Sequence, residues 1–125
     1  MTTQRYEIEA WLGDFAHELT DEQVDDLVRI SDDIADRYPD PDDGDVRQSA
    51  LIAAHRMMTG DTDVITELGQ SWMRASIALA EAKAGLVQAA LVREDTGAVS
   101  EAEFARQAGV DRMTVREWTG KRRRS

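Results

Sequence analysis

The sequence predicts an all-α fold, and three observations carry that expectation. Apolar residues recur at steps of three and four through the 125-residue chain. No segment alternates apolar and polar residues for long enough to propose a strand. The periodic segments are punctuated by helix signals, with Thr or Ser caps before them and Gly or Pro after them.

A first helix is expected from about Gln4, because Ile8, Trp11, Phe15 and Leu19 fall three, four and four apart and stack on one stripe. Thr20 and Gln23 have the spacing of a capping box, which opens a second helix. Its apolar face is Val24, Leu27, Val28, Ile34, Ala35 and Tyr38; Asp25, Asp26, Asp32, Asp33 and Asp36 cover the other side, and Pro39 ends it. Residues 39–45 form a solvated turn by composition. A calcium loop is rejected by register: with Gly44 at the glycine position, the first, third and twelfth ligand positions are Pro39, Pro41 and Ala50, which lack side-chain oxygens.

A third helix should run from about 45 to 59, with Val46, Ala50, Leu51, Ala54, Met57 and Met58 inward and Gly60 as its stop. His55 is placed on its side, with no role. From residue 63 the apolar steps continue through Leu68, Trp72, Ala75, Leu79, Ala82, Leu86 and Ala90. They predict a long helix over about 71–94, with a break near residues 69–70 as the alternative. Its small face (Ala75, Ala78, Ala82, Ala89) permits close helix approach and is expected to pack in the domain core rather than against a two-fold partner.

Charge divides the chain. Residues 1–70 hold 18 Asp/Glu against 5 Lys/Arg, and residues 71–125 hold 7 against 10, so the formal net charge of −10 belongs to the front. Three segments follow: an acidic helical region (1–60) for dimerisation or partner binding, a connecting helix (61–95), and a basic end (96–125). With no cysteine and only His17 and His55, the chain offers no thiolate, disulfide or usual zinc chemistry. It has no glycine-rich phosphate loop and no nucleophile with a base, so no catalytic residue, cofactor or metal is expected and an enzyme is not. The absence of a basic start leading into an apolar run, and of about 18 uninterrupted apolar residues, argues against a signal peptide and a membrane span. A cytoplasmic, nucleoid-associated protein is expected.

The last 26 residues carry the functional signal. Ser100 to Glu103 has capping-box form, and Phe104, Ala105 and Ala108 make the inner side of a short helix. Gly109 can take the positive φ of a sharp turn, Val110 can plug the corner, and Asp111 can cap a second helix whose inner side holds Val115 and Trp118. Ala105, Gly109, Val110, Thr114, Val115 and Trp118 together resemble the helix-turn-helix of phage, plasmid and resolvase-type regulators, and the segment AGVDRMTVREWTGK is similar to C-terminal segments of small proteins from actinobacteria and their phages.

That resemblance implies a tri-helical, resolvase- or phage-repressor-like unit that binds double-stranded DNA as a transcription regulator or accessory factor, with residues 111–118 entering the major groove. Arg112 and Arg116, four apart, would reach base edges or phosphates. Met113 would touch a thymine methyl, and Thr114 would bind phosphate. Glu117 would accept from cytosine N4 or hold one of the arginines in place, and Gly120 would lie outward. Lys121, Arg122, Arg123 and Arg124 would displace counterions from the backbone. One such unit covers half a site, so a homodimer is expected. The acidic half suggests a competing class of function: a protein-interaction or inhibitor module that imitates DNA or binds a basic host protein.

Overall fold

The computed structural model describes residues 2–120, which form six α-helices and no strand among the described residues. In chain order they are α1 (Arg5–Leu12), α2 (Asp21–Arg37), α3 (Gly44–Met58), α4 (Val64–Thr96), α5 (Glu101–Ala108) and α6 (Arg112–Thr119). The fold is all-α. The chain divides into two compact units, residues 1–68 and 69–125, with the division falling inside α4.

In the first unit, α1 is shorter than its apolar stripe predicts. Gly13 adopts φ 59° and ψ −127°, a conformation open to glycine, and the chain continues as a 3₁₀ turn, Gly13–Glu18. Phe15 therefore leaves the stripe and is exposed, while Ile8 and Leu12 reach the core. The capping box that opens α2 forms in full: Gln23 N–H donates to Thr20 Oγ1 at 3.1 Å, and Thr20 N–H donates to Gln23 Oε1 at 2.9 Å. Val24, Leu27 and Ile34 of α2 close on Ile8, Leu12 and Leu51, with Trp11, Tyr38, Ala54 and Met58 packed around them. Val46 and Met57, expected inward, are exposed, because α3 turns its Ala50, Leu51, Ala54 and Met58 side to the core. His55 is half-buried, with its ring edge-on to Trp11 at 5.8 Å and near Phe15 at 6.0 Å.

The acidic half is laced by its own arginines. Arg5 bridges Glu9, Asp21 and Asp25, tying α1 to the start of α2. Arg29 and Arg37 pair with Asp26 and Asp33 along α2. Arg47 donates to the Tyr38 and Asp40 carbonyls, and Arg56 joins Asp61 to Glu67 where α4 begins. Asp32 accepts from the Thr3 backbone N–H, which holds its pKa below the usual carboxylate range.

α4 is unbroken through residues 69–70 and runs for 33 residues. Its residues 65–85 are all exposed, and Ala75, Ala78, Ala82 and Ala89, expected in a core, lie at the surface. Val64 is buried within the first unit, and Ala90 within the second. By length and composition α4 could cross a membrane, although the sequence holds no uninterrupted apolar run of that length.

Candidate nucleic-acid interface

In the second unit α5 and α6 are eight-residue helices joined by a three-residue turn. Ser100 Oγ accepts the Glu103 N–H at 3.1 Å and starts α5. The reciprocal half of the expected capping box does not form, because the Glu103 carboxylate is taken by Arg106 and Gln107 along the helix. Gly109 ends α5 in the left-handed region, φ 74° and ψ 27°, and Val110 N–H donates to the Ala105 carbonyl at 3.1 Å. Asp111 Oδ1 then accepts the Thr114 N–H at 2.7 Å and caps α6. That donation holds the Asp111 carboxyl below its ordinary pKa.

The two helices close over α4. Ala90, Ala105 and Val115 are the buried centre, with Phe104, Val110 and Trp118 packed against them. Small residues at Ala90 and Ala105 let the backbones approach. Arg93 of α4 donates to the Val99 carbonyl at 3.1 Å, which ties the link before α5 to the α4 end. With Val115 and Thr119 buried, α6 turns Arg112, Met113, Arg116 and Glu117 to solvent. Thr114 is half-buried at the cap, and Gly120, half-buried and at φ 79°, terminates the helix instead of lying outward. Lys121, Arg122, Arg123 and Arg124 lie outside the described residues.

Sequence reasoning missed Glu101. Its Oε1 accepts from Arg112 Nε at 3.2 Å and from Arg116 Nε at 3.0 Å, so one carboxylate joins the start of α5 to both arginines of α6. The Glu101 side chain is 14% exposed, whereas Arg112 and Arg116 are 58% and 47% exposed, so the arginines remain open to a ligand and their counter-charge does not. Burial pushes the Glu101 carboxyl up; the hydrogen bonds and charges of Arg116 and Arg112 outweigh it and hold the pKa below the usual range. Both arginines use the inner Nε. Their terminal nitrogens form the edge that makes a bidentate contact with a base or phosphate. A lone acid at the first turn of α5 ahead of two arginines on α6 was the available signal, but only the turn geometry brings them together.

No family model, curated protein or solved structure matches the chain. Among the described residues no three His, Asp or Glu side chains gather as a metal site requires. The chemistry on offer is two oriented guanidiniums on a short, well-capped helix.

Proposed function

We propose that the second unit binds duplex DNA, with α6 laid in the major groove, and that the protein acts as a transcription regulator or accessory DNA-binding factor. The supporting observation is the pair Arg112 and Arg116, four apart on the exposed side of α6 and aligned by one largely buried carboxylate. A helix anchored by Val115 and Trp118 and capped by Asp111 presents them on a fixed support. On this reading Met113 contacts a thymine methyl, Thr114 a phosphate, and Glu117 a cytosine amino group or one of the two arginines. Lys121, Arg122, Arg123 and Arg124 add affinity that is independent of sequence. The acidic first unit adds repulsion for the duplex rather than affinity.

Mobility shifts with random duplex over a salt series test this reading. Binding is expected at low salt and to weaken as salt rises, and the double change Arg112→Ala, Arg116→Ala is expected to weaken it by about tenfold or more. No binding at low salt overturns it.

A further inference from the structure

In the second unit, α4, the link after it and α5 leave a groove of about 510 Å³, the size of a small-molecule site. Gly85, Ala89 and Val92 line it from α4, Val99 from the link and Phe104 from α5, and Arg93 stands among them.

Arg93 is out of place in such a wall. Its guanidinium is always charged and carries five donors. Nη1 donates to the Val99 carbonyl at 3.1 Å, a neutral acceptor. Nε–H is shut off from water and has no acceptor. Among the described residues no carboxylate pairs with Arg93, and no Asp or Glu lines the groove. Arg47 also lacks a carboxylate but takes two carbonyls, and Arg74 lies exposed to water, so neither stands in the same need. A partly buried charge with no counter-charge is costly, and arginine is seldom left so.

We propose that this groove binds a linear carboxylate of medium chain length, with its carboxylate on the Arg93 guanidinium and its alkyl chain lying along α4 toward Gly85. The head follows from charge and shape: two carboxylate oxygens match the fork of a guanidinium. The tail follows from the walls. Gly85, Ala89, Val92 and Arg93 fall four, three and one apart, on one side of the helix. From Arg93 back to Gly85 is about 12 Å of α4, which an extended chain of about eight to ten carbons spans. Gly85 and Ala89 leave room for that chain, since a Cβ built at Gly85 meets nothing within 4 Å. Val92, 51% exposed, supplies apolar surface for it to cover. An alkyl ammonium is refused by the charge of Arg93, and a bare inorganic anion leaves the apolar walls uncovered. The site is independent of the DNA-binding reading, because none of its lining residues belongs to α6.

Octanoate titrated into the nitrogen-labelled full chain, with amide shifts followed by NMR, tests the site. Saturable shifts are expected at Gly85, Ala89, Arg93, Val99 and Phe104. Octanol, the same chain without the charge, should bind about tenfold more weakly or worse, and acetate, the charge without the chain, should shift nothing at the concentration that saturates with octanoate. Gly85→Leu fills the far end of the groove from a helical position with no neighbour to strike, and should weaken octanoate about tenfold with helicity kept. Arg93→Gln should weaken it by about tenfold or more, with circular dichroism checking the fold. If Arg93→Gln loses helicity, the octanoate-to-octanol ratio and Gly85→Leu decide the matter. No shift in the groove up to millimolar octanoate overturns the proposal, as does octanol binding as tightly as octanoate, or Gly85→Leu binding as wild type does. Shifts centred on residues 65–82 also overturn it, because they mark adsorption to the exposed length of α4 instead of a site at Arg93.

Discussion

Replacing Glu101 with Gln tests two roles, a brace for the second unit and, under the DNA-binding proposal, an internal competitor for the ligand. The carboxylate accepts from both Arg112 and Arg116 at 3.0–3.2 Å and is only 14% exposed, so neutralising it weakens two charge-assisted hydrogen bonds. Half-exposed guanidiniums recover much of that loss in water, which leaves a net destabilisation of about 1 kcal/mol. For DNA the sign is opposite. A phosphate or base must draw the arginines against Glu101, so Glu101→Gln is expected to tighten binding about three- to tenfold at low salt, with the gain shrinking as salt screens it.

The stability cost also has a pH signature. The folded pKa of Glu101 is depressed below the unfolded one, so its contribution is present in full above the ordinary glutamate range, near pH 4.3, and is lost as pH falls through the folded value. Urea titrations followed by circular dichroism should show wild type ahead of the variant at pH 7 and the two converging in acid. Equal or weaker DNA binding by a folded variant would refute the idea that Glu101 competes with the ligand. A stability gap that does not close in acid would refute the ion-pair account.

Three further outcomes are expected. Leu27→Ala removes a fully buried side chain from the first unit and should cost about 3 kcal/mol in chemical denaturation. Gly109→Ala meets no neighbouring atom but must hold φ 74°, so its cost of about 1 kcal/mol is conformational, and Gly109→Asn, a residue that tolerates this region better, should lose less. Asp111→Ala removes the α6 cap and should cost about 1 kcal/mol, read as a lower thermal midpoint, with amide exchange quickening first at Met113 and Thr114.

What could be read in advance was local. Thr20 with Gln23, Ser100, Asp111 and Gly109 act within four residues of themselves, and each sits at the helix end that its chemistry marks. Gly13 misled because an apolar stripe runs on past it; whether a glycine continues a helix or breaks it depends on what the following turn can pack against. The Glu101 bridge spans eleven and fifteen residues across a turn, beyond the reach of spacing rules. The face of α4 was legible as apolar but not as uncovered, since periodicity records which side of a helix wants a partner and not whether the same chain supplies one.

Because α4 is unbroken between Leu79 and Ala90, it fixes an angle as well as a length. Each residue turns the helix by about 100° while advancing it 1.5 Å, so the direction in which α5 and α6 lie is a phase measured from the exposed stripe. One residue added near Gly85 would swing α5 and α6 by more than a quarter turn while lengthening the helix by less than the width of a water molecule. Only insertions of three or four residues return α5 and α6 nearly to the same side of α4, so between Ala82 and Ala90 a change of length acts through rotation far more than through reach.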